Sequence, residues 1–231
     1  MKILILTGYD SNESYREVGL LSAQNKYEYA MKNNYSFLCF RSYEGYDRPA
    51  SWFKVPLILS LIENYDWIFW TDADSLITNF NKKVEDIINT DYKRNETLFL
   101  SPVAIPTEVN LPELKEQNYI ITQDSYSPCM GEFMIRNCEW SKNFFLEINK
   151  QSQFVNDPIW ENRAQDHLMF HNPEILKYCK FIPKKEMNAF YKTKEGESLD
   201  WEQGDFVCHF PATEKERRLR YTKELLQKVI K

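Results

Sequence analysis

The segment Asp66–Thr71, DWIFWT, constrains this fold more than any other. Four bulky apolar residues, Trp67 to Trp70, run without a break, and the run stops at Asp72-Ala73-Asp74. A stretch that short and that apolar reads as a strand buried on both faces, the kind found in parallel sheets covered by helices. The residues before it agree. Ile3–Leu6 is an apolar run ending in Thr7-Gly8. Residues 14–33 have helical spacing, with Leu20, Ala23, Tyr27, Ala30 and Met31 at +3, +7, +10 and +11 on one expected buried face. Ser36–Phe40 is a second strand. A polar loop with Gly45 and Pro49 leads to a helix over Trp52–Asn64, with Pro56 early enough that its missing N–H costs little. The first 75 residues therefore read β-α-β-α-β, an α/β sheet with crossover helices. Ligands of such sheets sit beyond the carboxyl ends of the strands, where Thr7-Gly8 and Asp72-Ala73-Asp74 both fall.

The second half is less regular. Thr97–Leu100 and Gly131–Arg136 read as strands, Glu139–Lys150 and Gln165–His171 as helices, and Asp205–Phe210 as a late strand. Residues 101–128 form a long excursion and 151–163 a loop, both expected acceptor surfaces. One domain is expected over 1–231. It comprises a nucleotide-binding half at 1–80, an acceptor-side half at 81–213 and a C-terminal helix at 214–231. That helix places Leu219, Thr222, Leu226 and Val229 on one face. It carries seven Lys/Arg against three Glu, so contact with anionic lipid is conceivable, but a solvated helix packed on the domain is favoured.

A net charge of −5 and a pI near 5.4 argue against a nucleic-acid partner. Five scattered cysteines (39, 129, 138, 179, 208) without a C-x-x-C fit free thiols in a reducing compartment. The opening MKILILTGYD is too short an apolar run for a signal peptide or a membrane span, so a soluble cytoplasmic protein is expected. The sequons at 12–14 and 95–97 then read as chance. No phosphate-loop, dinucleotide or nucleophile-elbow glycine motif occurs, which disfavours kinases, dinucleotide oxidoreductases and α/β-hydrolases.

Two carboxylates at i, i+2 beyond a strand end suit a hard cation bridging to phosphate oxygens, although Asp is also common in turns. His209, in GDFVCHF, is the only one of three histidines in an apolar strand. It could complete an Asp/Asp/His set better suited to Mn²⁺ than to Mg²⁺, or be a packed histidine. Gln165-Asp166 reads as a helix start or as a polar pair facing a sugar. Lys54, at a helix head against the dipole, calls for a diphosphate or an acidic partner such as Asp74, unless it is an exposed surface lysine.

These segments, taken in order, resemble glycosyltransferase family 34, the xyloglucan xylosyltransferases and α-galactosyltransferases. The matching stretches are TG at 7–8, NKYEYAMKNNYSF at 25–37, SWFKVPLI at 51–58, DWIFWTDADSLITN at 66–79, GEFMIRNCEWS at 131–141, QDHL at 165–168 and GDFVCHF at 204–210. The resemblance implies a GT-A fold, a metal-dependent UDP-sugar donor, a glycan acceptor and retention of configuration. It assigns Asp72-Ala73-Asp74 as the D-x-D motif and His209 as the third metal ligand. Gln165 is set near the anomeric carbon, Lys54 at the donor, and Thr7-Gly8 along the nucleoside by main-chain contact. The chain departs from the pattern at Cys129, where Asn is usual, at Ala164, where an acid is usual, and after His209-Phe210. There Pro211-Ala212 replaces a glycine, and Lys215 is the nearest lysine for the diphosphate.

The expected enzyme is a retaining hexosyl- or pentosyltransferase. Glu132 is the one carboxylate to watch as a nucleophile, although front-face displacement needs none. A nucleotide-sugar-binding protein without transfer is the alternative, and a nucleotidyltransferase ranks below it. Trp52, Trp160 and Trp201 are candidates to stack on sugars, with core packing the commoner fate.

Overall fold

The computed structural model describes all residues except 11–14, 42–45, 104, 125–126 and 192–200. The sequon at 12–14 and Gly45 lie outside the described residues. The elements, in chain order, begin with β1 (Ile3–Gly8), α1 (Arg16–Asn33), β2 (Ser36–Phe40), α2 (Lys54–Leu61), β3 (Trp67–Thr71), β4 (Ser75–Ile77) and α3 (Val84–Asn89). They continue with β5 (Thr97–Leu100), β6 (Thr107–Asn110), β7 (Tyr119–Gln123), β8 (Pro128–Arg136), α4 (Glu139–Lys150) and α5 (Trp160–His171). The last four are β9 (Cys179–Ile182), β10 (Ala189–Phe190), β11 (Val207–His209) and α6 (Lys215–Leu226). No described helix is long and apolar enough to cross a membrane. All five cysteines are free.

The chain divides into two compact units, one of 44–68 and 92–183 with Met1, the other of 2–43, 69–91 and 184–231. The division falls inside β3. Strands β2, β1 and most of β3 belong to the second unit, and β8, β7 and β9 to the first.

In the first unit β7 pairs antiparallel with β8 and parallel with β9. The excursion expected over 101–128 thus holds an inner strand, β7, as well as β6, which pairs with β5. Tyr119 of β7 makes edge-on ring contacts with Phe133, Phe144 and Phe145, tying α4 to the sheet. Helix α5 begins at Trp160, so the expected loop 151–163 ends earlier than read. Glu132 is fully buried in β8.

In the second unit β1 and β2 are parallel, with Ile5 opposite Phe37. A three-stranded sheet, β10-β11-β4, packs Leu76, Ala189, Cys208 and Phe210 against Tyr221 and Leu225 of α6. The buried face of α6 is therefore Arg218, Tyr221, Thr222 and Leu225, one step round from the expected one.

Helix α1 departs from its expected face, of which Ala30 is buried and Ala23 half-buried. Leu20, Tyr27 and Met31 are exposed, whereas Ser22, Asn25 and Lys26 are buried. The polar residues face inward because they satisfy backbone groups. Ser22 Oγ donates to the Ser75 carbonyl, and Asn25 bonds both the carbonyl and the N–H of Ile77. Strand β4 is only three residues long, and α1 completes its hydrogen bonding.

Candidate functional site

The apolar strand β3 ends in a turn over Asp72–Ser75. The Asp72 carbonyl accepts from the N–H of Ser75 (3.2 Å) and from its Oγ (2.8 Å). Lys26 Nζ reaches the same carbonyl and also donates to Thr7 Oγ1 (3.2 Å) and the Thr71 carbonyl (3.3 Å). One fully buried ammonium thus ties the end of β1 to the end of β3. The Asp72 carboxylate is fixed separately, by the Trp70 indole N–H at 2.7 Å.

His209 arrives through strand register. β11 runs antiparallel to β4 with His209 opposite Ser75, and the Phe210 N–H donates to the Asp74 carbonyl at 2.9 Å. His209 Nε2 lies 3.5 Å from Asp74 Oδ1, and its Nδ1 is 2.8 Å from Asn188 Oδ1. With Nδ1–H donated to the amide oxygen, Nε2 faces the carboxylates, carrying a proton toward Asp74 or, once that proton is lost, a lone pair for a metal ion. One ligand atom each from Asp72, Asp74 and His209 falls within 4.8 Å of the others. Burial alone would raise the Asp74 pKa, but the His209 hydrogen bond and the charges of His209 and Arg218 bring it below the usual value. Asp74 is therefore an anion at neutral pH. Two oxygens and an oriented imidazole nitrogen fit a divalent ion of the Mn²⁺ type, with positions left for phosphate or water.

Arg218 stands on the other side of Asp74. Its Nε is 3.8 Å from Asp74 Oδ2, and its guanidinium lies 4.2 Å over the ring of Tyr15. Burial raises the Tyr15 hydroxyl pKa most, followed by the charge of Asp74, to which it also hydrogen-bonds.

Beyond the end of β1 opens a cavity of about 450 Å³ lined by Tyr9, Arg16, Leu20 and Arg41. That size suits a small ligand. The Tyr9 ring lies flat on Gly19 of α1, where an added Cβ would sit 2.2 Å from a ring carbon. The sequence offered one sign of this wall, the glycine inside an otherwise regular helix. Thr7 and Gly8, expected along a nucleoside, are packed. Thr7 is buried, and a Cβ on Gly8 would meet the Phe40 carbonyl at 3.3 Å.

Residues 1–220 match the galactosyl transferase GMA12/MNN10 family, glycosyltransferase family 34. The chain belongs to this family. A probable alpha-1,2-galactosyltransferase, gmh2, of Schizosaccharomyces pombe is 26% identical over 94% of this chain and 66% of its own length. A probable alpha-1,6-mannosyltransferase, MNN10, of Saccharomyces cerevisiae is 27% identical over 78% of this chain and 49% of its own. The chain spans about half to two thirds of the length of the curated relatives it matches. A solved glycosyltransferase involved in glycosylation of the major capsid of PBCV-1 superimposes with a TM-score of 0.68 at 15% identity. The match covers 97% of this chain and 100% of that one. That likeness establishes the fold, which is of the GT-A type.

The family 34 positions in the first unit are all buried. Lys54 is 3% exposed, not a surface lysine, and its acidic partner is Glu161 (2.8 Å). Asp74, the partner suggested by the sequence, belongs to the other unit. Lys54 Nζ also donates to the Met130 carbonyl at 2.9 Å. Gln165 accepts from the Tyr119 hydroxyl (2.7 Å) and donates to the Pro128 carbonyl (3.2 Å). Asp166 accepts from the Ser101 N–H at 2.8 Å, and burial pushes its pKa up to about 8. Cys129 and Ala164 are buried in the same unit. Trp52 and Trp201 are core residues, whereas Trp160 is 41% exposed with φ at +45°.

Proposed function

We propose that this chain transfers a hexose or pentose from a UDP-sugar to a glycan acceptor, with retention, at a site built on Asp72, Asp74 and His209. The observation that carries the reading is the convergence of those three ligand atoms within 4.8 Å on a turn at a strand end. The names of the family relatives, galactosyl- and mannosyltransferases, support glycosyl transfer and leave the sugar open.

A divalent ion at that site supplies positive charge to the departing diphosphate. The protein's part is orientation. Trp70 holds the Asp72 carboxylate, Asn188 sets the His209 ring, and Lys26 and Ser75 fix the turn. The cavity beside Tyr9, Arg16 and Arg41 takes the nucleoside, and Thr7-Gly8, packed at the end of β1, offer it main chain only. In front-face displacement the bond from the anomeric carbon to the diphosphate oxygen breaks as the acceptor oxygen bonds the same face. The acceptor proton passes to the leaving diphosphate, so no protein nucleophile is needed. The fully buried position of Glu132 agrees with that route. Gln165 and Asp166 stay in the proposal on the sugar side. Both polar atoms of Gln165 are engaged, by Tyr119 and Pro128, and Asp166 Oδ2 is engaged by the Ser101 N–H, so contact with a sugar through these atoms requires those bonds to be exchanged. Of the three candidate tryptophans, Trp160 is the exposed one and is offered to the acceptor.

The test is a thermal-shift and UDP-release panel with UDP-galactose, UDP-xylose and UDP-glucose in Mn²⁺, Mg²⁺ and EDTA. Stabilisation and UDP release are expected to need the metal. Asp72→Ala and Asp74→Ala should each lower release by on the order of 10³-fold. Full metal-dependent release by either variant would overturn the assignment. Metal-dependent binding without release would leave a nucleotide-sugar-binding protein.

A further inference from the structure

We propose that Arg218 is a diphosphate-binding residue, donating through Nε and Nη1 to phosphate oxygens beside Asp74. This rests on the reading of the site as a nucleotide-sugar site and goes beyond it, because the family resemblance favours Lys215 for that duty.

Arg218 is 7% exposed, and only one of its three guanidinium nitrogens is provided for. Nη2 donates to the Thr213 carbonyl, while Nε and Nη1 are buried without a hydrogen-bond partner among the described residues. The Asp74 oxygen at 3.8 Å is an ionic neighbour but is too far for a hydrogen bond. Buried donors left dry are costly, and a guanidinium presents its donors as a planar fork matched to phosphate. The stacked Tyr15 ring holds the plane of that fork.

The surroundings give an independent reason for an anion. α6 opens Lys215-Glu216-Arg217-Arg218, three cations in a first turn where the helix dipole favours acids. The guanidinium folds back past that terminus to Thr213, so fork and dipole face the same space. The charge count points the same way. A cation bound by Asp72, Asp74 and His209 would claim Asp74, the one carboxylate paired with Arg218 among the described residues. A phosphate-type anion then neutralises both positive groups. Lys215, by contrast, is exposed on the outer side of the same turn.

The experiment measures binding to the full chain of UDP, inorganic pyrophosphate and uridine, each with Mn²⁺, and of Mn²⁺ alone. It compares wild type with Arg218→Gln, Arg218→Lys and Lys215→Gln. Arg218→Gln should weaken UDP and pyrophosphate together by roughly 10- to 100-fold, leave uridine unchanged, and bind Mn²⁺ alone at least as tightly as wild type. Arg218→Lys, which keeps the charge but loses the fork, should fall between, and Lys215→Gln should stay within about threefold of wild type. If Arg218→Gln does not fold, Arg218→Lys gives the answer: a loss for UDP and pyrophosphate but not uridine supports the proposal, and no loss overturns it. A folded Arg218→Gln that binds UDP and pyrophosphate like wild type, or that loses uridine equally, also overturns it. A wild-type protein that ignores UDP defeats the nucleotide-sugar reading. Arg218 is then judged on pyrophosphate alone, where binding lost in Arg218→Gln supports the anion site and no binding refutes it.

Discussion

Replacing Lys26 with Met tests how the metal-site turn is built. The Lys26 side chain is fully buried, and its ammonium serves three neutral acceptors, Thr7 Oγ1 and the carbonyls of Thr71 and Asp72. Methionine fills nearly the same volume and removes the donor. A hydrogen bond from a charged donor contributes about 1.5–3 kcal/mol, and a buried acceptor left dry costs about 1–3. Two offsets reduce the loss. The Asp72 carbonyl keeps both bonds from Ser75, and a buried charge no longer has to be desolvated. The net expectation is a loss of about 2–4 kcal/mol. In a chain of 231 residues that lowers the thermal midpoint by roughly 5–15 °C. Urea and thermal melts of Lys26→Met, Ser75→Ala and the double variant read it directly. Because Lys26 and Ser75 share one carbonyl, the double variant should lose more than the sum of the singles, by about 1 kcal/mol. A Lys26→Met protein melting within 2 °C of wild type, or strictly additive losses, would refute the claim that this ammonium holds the turn.

Lys54→Met should cost about 3–5 kcal/mol by leaving Glu161 buried and unpaired, and Lys54→Met/Glu161→Gln should recover most of it in the same melts. Asp166 titrates near 8 when folded and near 4 when unfolded, so the folded chain holds the extra proton between those values. Its contribution is complete below about pH 4 and fades as pH rises to 8, with a slope of at most ~1.4 kcal/mol per pH unit. Asp166→Asn should flatten that decline in urea melts across pH 4–8. Ala212 sits at φ +53° and is exposed, so Ala212→Gly should add about 1 kcal/mol and raise the midpoint by a few degrees.

The strands β2 and β5 and the helix α4 could be read from the sequence to the residue, because each is bounded by turn residues and carries a regular apolar pattern. Asp72 and Asp74 could be placed at a strand end for the same reason. The inward face of α1 could not. Periodicity finds a buried face by assuming that buried means apolar. Here Ser22, Asn25 and Lys26 are buried because the short β4 and the turn at Asp72 need donors and acceptors. Lys54 could be singled out as calling for an acidic partner, but not matched to Glu161, which lies more than 100 positions away.

The ligand set shows where sequence reading stops more clearly than the fold does. Asp72 and Asp74 are two positions apart, so one turn brings them together. His209 joins them only because β11 pairs with β4 in a register that sets it opposite Ser75. Neither three-residue strand has enough pattern to announce that pairing. Its place in an apolar strand made His209 a candidate and the family resemblance assigned it, and the register supplies the physical reason. Arg218 lies one layer deeper. It is three positions beyond Lys215, one turn further along α6, and is buried beside Asp74, whereas Lys215 at the start of the helix is exposed. A linear motif ranks these two cations by distance from His209 and favours Lys215. Only the packing of the folded chain distinguishes a solvated charge at the start of α6 from one held dry a turn further in.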